Sequence, residues 1–148
     1  MFNQMGKRQL VILSICFVVC GVFIAANGNN KIERPVLKKT ILSHKEDVFD
    51  ESQFVFKPIL EEIGSKRQLK ILCEITSYMN PEILELNYEK QSMLEVNDDI
   101  SLPSKWKVLE KSKYKLIGQL IFDIESVEQL SAFGLRIFTY SDHEIIWN

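Results

Sequence analysis

The chain reads as mainly β: an antiparallel β-sandwich with two short helices, preceded by one N-terminal transmembrane or signal helix. Three observations carry this reading. Beyond residue 68, apolar and polar side chains alternate with period two in run after run, and turn-forming residues punctuate those runs at close spacing. Residues 10–26, by contrast, carry no charge at all, and only Ser14 and Gly21 interrupt their apolar side chains. The connections between runs are too short for parallel crossovers, so the pairing is antiparallel, and the number of strands suggests an immunoglobulin-like or Greek-key arrangement.

Four segments follow from this pattern: a cytoplasmic tail over residues 1–9, the apolar helix over 10–26, a linker and acidic loop over 27–53, and the sandwich domain over 54–148. A hydrocarbon core takes roughly 20 helical residues, about 17 at the least, so residues 10–26 just suffice to cross a bilayer, with Lys7 and Arg8 reaching for the headgroups. An uncleaved single-pass anchor is therefore expected. The competing reading is a secretory signal with a basic start at Lys7 and Arg8 and small residues for cleavage near Ala26 or Gly28. Cys16 and Cys20 read as small apolar members of this helix, because bulky Ile15 and Val19 precede them where lipidation needs a small residue. Lys7 and Arg8 abut the apolar run and Asn27-Gly28-Asn29-Asn30 after it is uncharged, which places the domain outside the cytoplasm. Lys31, Arg34, Lys38 and Lys39 run against that orientation in a literal count of positive charges.

The linker is basic and contains Pro35, and it turns acidic at Glu46, Asp47, Asp50 and Glu51. Phe56, Ile59, Leu60 and Ile63 recur at i, i+3, i+4, i+7, with Pro58 at a first helical turn and Gly64 as a cap, so a two-turn helix is expected over 54–64. Leu69, Ile71, Cys73 and Ile75 then alternate as a strand that ends at Met79-Asn80-Pro81. Leu84, Leu86 and Tyr88 alternate as another, and Leu94 with Val96 form a short one before the turn at Asn97-Asp98-Asp99. Trp106 and Val108 follow beyond Pro103. Residues 114–124 make the longest strand, with Gly118 marking a bulge or a close backbone approach. A capping box at Ser126 and Gln129, with Val127, Leu130 and Phe133 at helical spacing, predicts the second helix, closed by Gly134. Residues 135–140 and then Ile145-Ile146-Trp147 complete the sheets, the last closing the core.

Composition narrows the function. The whole chain carries a net charge of −2, and because Lys7 and Arg8 are the only charged residues among the first thirty, the remainder carries −4, unsuited to neutralising phosphates. Nucleic acid is thus not an expected partner. Cys73 is the single cysteine beyond the apolar helix, so the domain has no internal disulfide, and its place in an alternating run makes it a buried strand residue. His44 and His143 stand about a hundred residues apart beside acidic neighbours, each in a predicted loop, and neither belongs to a catalytic or metal-binding spacing. Glycine-rich phosphate loops, nucleophile elbows and zinc spacings are absent, so no catalytic residue, cofactor or metal is expected. Asn97-Asp98-Asp99 reads as a turn rather than a calcium loop.

One local feature is a candidate ligand-contacting face: Lys105, Trp106, Lys107, Lys113 and Lys115, with Lys111 and Tyr114 among them. Aromatics among lysines can stack on sugars or bases while the amines hold anions. Trp106 and Tyr114 nevertheless fall on the inward alternation, so a solvated, edge-protecting face is the stronger reading. The expected function is a membrane-anchored, extracytoplasmic binding or assembly module without catalysis of its own. It would touch the lipid bilayer through residues 10–26 and a protein partner in an envelope complex. The alternative is a domain cleaved from its signal, secreted or periplasmic, that binds an anionic or sugar ligand.

Overall fold

Alternating side chains bury one face of a strand at a time, and the chain uses this to build two antiparallel sheets around one core. The computed structural model describes residues 35–125, 130 and 132–148. Its elements are β1 (Leu37–Ile41), β2 (Lys45–Phe49), β3 (Ser52–Ile63), β4 (Lys66–Ser77), a 3-10 turn (Pro81–Glu85), β5 (Ser92–Val96), β6 (Asp99–Ser101), β7 (Lys105–Lys111), β8 (Lys115–Asp123), β9 (Phe133–Phe138) and β10 (Asp142–Trp147). The first sheet runs β1-β3-β4-β8-β7, with β2 also on β3, and the second runs β10-β9-β5-β6. Phe54, Phe56, Leu69, Ile71, Ile75, Leu116, Leu120 and Phe122 of the first sheet meet Leu94, Leu135, Ile145 and Trp147 of the second. Apolar residues 10–26 lie outside the described residues, among which no helix is long and apolar enough to cross a membrane.

Several expectations fail. The longest strands are β3 and β4, of 12 residues each, rather than residues 114–124, where β8 has 9. Residues 54–64 form most of β3 rather than a helix. Phe54, Phe56 and Leu60 are buried at even spacing while Ile63 is 43% exposed, and Gly64, at φ +61°, sits in the two-residue turn between the paired Ile63 and Lys66. Pro58 is tolerated because the strand beside β3 is interrupted there. Leu42 N–H donates to Pro58 C=O at 3.1 Å, but proline has no N–H to return, and the register shifts by one residue between β1 and β2. Leu84, Leu86 and Tyr88 do not form a strand either. Pro81 opens a 3-10 turn that drops Ile83, Leu84 and Tyr88 into the core, and the buried Tyr88 hydroxyl donates to Ile83 C=O at 3.0 Å. The expected connector and acidic loop holds β1 and β2, so the sheet begins at Leu37 and not at residue 54.

The second expected helix falls largely on residues 126–129 and 131, outside the described ones, while Phe133 and Gly134, assigned to its end, open β9. Asn97 and Asp98 have φ of 51° and 68° and form the two-residue turn between β5 and β6. At the C-terminus, Trp147 closes the core: its ring stacks on Phe133 at 4.8 Å, and its indole N–H donates to Ser43 C=O at 2.7 Å.

Candidate functional site

The lysine face resolves first. Trp106 pairs with Leu120 and turns to the inner side of the first sheet, where it lies 5.2 Å from the Tyr88 ring and directly over Gly118. Both alternatives suggested for Gly118 meet here: the Trp106 ring lies against it, and the register of β7 slips opposite it, between Val108 and Glu110. Lys105 and Lys107 pair with Ile121 and Gln119 on the outer side. Lys115 shares that outer side and binds Glu74 at 2.6 Å, while Lys113 sits in the β7–β8 hairpin with its amine 4.8 Å above the Tyr114 ring. The indole and the lysines therefore do not form one surface. On the outer face, Glu74 stands between Lys115 and Lys57, and the Lys115 hydrogen bond, outweighing partial burial, holds the Glu74 carboxyl below its ordinary range.

A different site forms where four connections meet at one end of the two sheets. Register brings them together: Ser52 pairs with Ser77, Thr76 pairs with Lys115, and Ser77 N–H donates to Tyr114 C=O at 2.9 Å. The β9–β10 turn joins them through Asp50, which with Glu51 forms the β2–β3 turn at φ of 48° and 58°. The Asp50 carboxylate accepts hydrogen bonds from Thr139 Oγ1, from Ser141 Oγ at 3.0 Å and from Tyr140 N at 3.3 Å, so one side chain of the first sheet ties down a turn of the second. Ser52 Oγ donates to Ser77 Oγ at 2.8 Å and Ser77 Oγ to Asn80 C=O at 2.7 Å, which fixes the start of the β4–β5 connection.

On this polar seat four large side chains face solvent: Tyr78 at 70% exposure, Met79 at 77%, Tyr140 at 58% and Tyr114 at 38%. The Tyr78 and Tyr114 rings are 5.3 Å apart, and Tyr140 Oη donates to Glu82 at 3.1 Å, so the rings are held rather than loose. Tyrosine offers a large amphipathic contact area at low cost in rotamer entropy, the composition of surfaces that bind other proteins. Sequence reasoning missed this cluster because its members lie in three separate connections, and because Tyr114, expected to point inward from a strand over 114–124, instead sits in the β7–β8 hairpin with its ring at the surface.

The same end contains Ser141, His143 and Asp50, the residue types of a hydrolase triad, but not its geometry. His143 Nε2 lies 2.6 Å from Ser141 Oγ and 3.7 Å from Asp50, so both groups approach one ring nitrogen, whereas a triad needs the carboxylate on Nδ1. The Ser141 hydroxyl donates to Asp50, and His143, expected in a loop, lies in β10 opposite Ile137 with its ring packed 3.8 Å from Phe49. His44 lies elsewhere, 3.8 Å from Glu46 on the exposed edge. Burial pushes the Cys73 thiol well above its ordinary pKa, and its sulfur turns to Ile71 C=O at 3.6 Å, so it is not an activated nucleophile. Between the sheets at the opposite end, a cavity of about 360 Å³ is lined by Leu94, Val96, Ile100, Asp123 and Leu130, and among the described residues no three potential metal ligands converge.

The Asp50 latch carries a prediction with a sign. Burial alone would raise the Asp50 pKa, but its hydrogen bonds to Thr139, Ser141 and Tyr140, with His143 nearby, bring it below the usual carboxylate value. A group with a lowered native pKa stabilises the fold above its unfolded pKa of about 4 and loses that contribution as pH falls through the native value. Asp50→Ala is expected to lose about 2 kcal/mol at neutral pH. Urea titrations from pH 7 downward should show a shallower fall for the variant than for the wild type, leaving the slope due to Glu74 and Asp123, whose pKa values are also lowered. Parallel curves would reject the latch.

No protein-family model matches the chain, and no curated protein and no solved structure is significantly similar to it.

Proposed function

We propose that the chain is a membrane-anchored, extracytoplasmic binding or assembly module that recognises a protein partner through the tyrosine-bearing end of an immunoglobulin-like domain, without catalysis of its own. The observation that carries the reading is the cluster of Tyr78, Met79, Tyr114 and Tyr140, exposed together on a hydrogen-bonded seat. Strand order supports the fold assignment: β3-β4-β8-β7 and β10-β9-β5 follow the ABED and GFC orders of immunoglobulin sheets, with β6 as an added C′ strand. In that correspondence Tyr78 and Met79 lie in the B–C loop, Tyr114 in the D–E loop and Tyr140 in the F–G loop. Variable domains bind through the B–C and F–G loops of the same end. Cys73 falls on strand B, where antibody domains place one half of their inter-sheet disulfide, but β9 contains no cysteine to pair with it.

The anchor rests on the apolar run over residues 10–26. Pro35 stands beside Gly64, at the end of the first sheet away from Asp50 and Tyr140, so the chain enters the domain far from the tyrosines.

The test is photo-crosslinking in cells of origin, with a crosslinker at position 79 and, as comparison, at position 119 on the flat outer face. A discrete protein adduct from 79 that disappears when Tyr78 and Tyr140 are changed to Ser is expected. No adduct, or an unchanged one, would overturn the tyrosine surface. Protease added to intact cells should digest a C-terminal tag on membrane-bound, full-length chain; a protected tag or a soluble, shortened product would overturn the anchored topology.

A further inference from the structure

The outer edge of the first sheet is unusual in being self-complementary. β1 and β2 lie end to end along β3, and among the described residues no strand pairs with their other side. Both strands are exposed on both faces apart from Phe49, and Leu37, Ile41 and Val48 are open to solvent. Leu42 N–H points to β3, so the backbone groups of Leu37, Lys39 and Ile41 point to the free edge. Phe49 and Ser52 close the two-residue turn and must face each other, so on β2 the free backbone groups belong to Glu46 and Val48.

Exposed edges are commonly blunted by lysine, and Lys38 and Lys39 on β1 serve that purpose against most strands. The same edge supplies their answer in Glu46 and Asp47 on β2. We infer that this edge pairs with the β1–β2 edge of a second copy of the chain, antiparallel about a two-fold axis near Leu42 and Ser43, joining two sheets into one. Facing backbone groups must oppose facing ones, which permits only registers that shift in steps of two. In one of them Lys39 opposes Glu46, Lys38 opposes Asp47 and Leu37 opposes Val48, each pair on one face of the joined sheet and each occurring twice by symmetry. Sliding by one step in one direction sets Lys38 against Lys45; in the other it sets Ile41 against Glu46 and Lys39 against Val48. Pairing β1 with itself about Lys39 brings the two Lys39 side chains together.

Present contacts leave part of this charge available. Among the described residues Lys38 binds Glu62 at 3.1 Å, a carboxylate that also lies 3.7 Å from Arg67, and Glu61 is shared between Lys39 and Lys70, so neither lysine has a carboxylate to itself, while Glu46 is approached only by His44 at 3.8 Å and Asp47 accepts only the Val48 N–H, at 2.8 Å. The break between β1 and β2 does not obstruct the edge, since Trp147 draws the Ser43 carbonyl inward.

Sedimentation of the full-length chain in detergent tests the inference. The wild type is expected to dimerise reversibly. Charge reversal by Glu46→Lys with Asp47→Lys is expected to weaken the dimer about tenfold or more, and adding Lys38→Glu with Lys39→Glu to restore it. All four side chains are exposed, and restoration by the second reversal separates pairing from misfolding. With Cys16 and Cys20 changed to Ser, Lys38→Cys with Asp47→Cys should give a covalent dimer under mild oxidation. Within one chain these positions are about nine strand residues apart, roughly 30 Å, beyond the reach of a disulfide. A wild type that stays monomeric at every concentration reached, or a dimer indifferent to both reversals and unlinked by the cysteines, would overturn the inference.

Discussion

Phe54→Ala is expected to lower folding stability by about 3–5 kcal/mol, and Ile63→Ala by less than about 1 kcal/mol. The contrast follows from β3 being a strand. Phe54 is fully buried, stacked 3.9 Å from Phe49 and 5.9 Å from Phe56, so its removal leaves a cavity the size of a ring in a column of aromatics. Ile63 ends the strand, paired with Leu37 on one side and Lys66 on the other, with 43% of its surface still in water. A helix over 54–64 would reverse the order, because its buried stripe includes Ile63 and omits Phe54. Denaturant titration of both variants reads the difference directly. Since domains of this size have total stabilities of about 5–15 kcal/mol, the Phe54 variant should remain measurable when followed from low denaturant. Equal losses, or the larger loss at Ile63, would reject the strand.

At Gly118 the expected loss for alanine is about 2–3 kcal/mol, large for one methyl group. A Cβ built there would lie 2.0 Å from Trp106 Cη2 and 2.3 Å from Cζ2, far inside van der Waals contact. The indole must leave its place beside Tyr88, and β7, an edge strand whose Trp106 side chain is its one inward anchor, must shift with it. Two readouts distinguish this from a general strand penalty. Displaced indole should shift tryptophan emission to the red. In a Trp106→Leu background the alanine should cost far less, giving a coupling energy above about 1 kcal/mol. An equal cost in both backgrounds would show that Trp106 is not what the glycine accommodates.

The misreadings have the same physical origin as these predictions. A separation of four residues puts two side chains on one face in either period, so Phe56 and Leu60 satisfy a helix and a strand alike, and Pro58 and Gly64 sit where helix punctuation is also expected. The backbone decided between them through pairing with Lys66 to Ser77, which is invisible locally. β1 and β2 escaped notice because an edge strand exposed on both faces has no alternation to detect. Leu84, Leu86 and Tyr88 alternate by chance, and Pro81, lacking an N–H and fixed in φ, favours a turn over a sheet position there.

By itself the sequence determined the mainly β class, the long strands around Leu69 to Ile75 and Leu116 to Phe122, the inward direction of Trp106 and the burial of Cys73. All of these depend on alternation along one strand, a property written in adjacent residues. Only the tertiary structure decided the sheet order, the fate of residues 37–63 and the assembly of Tyr78, Met79, Tyr114 and Tyr140 with the Asp50 latch beneath them. Those features require residues as many as 91 positions apart to meet, and such meetings are set by register and by the packing of one sheet on another rather than by any local pattern.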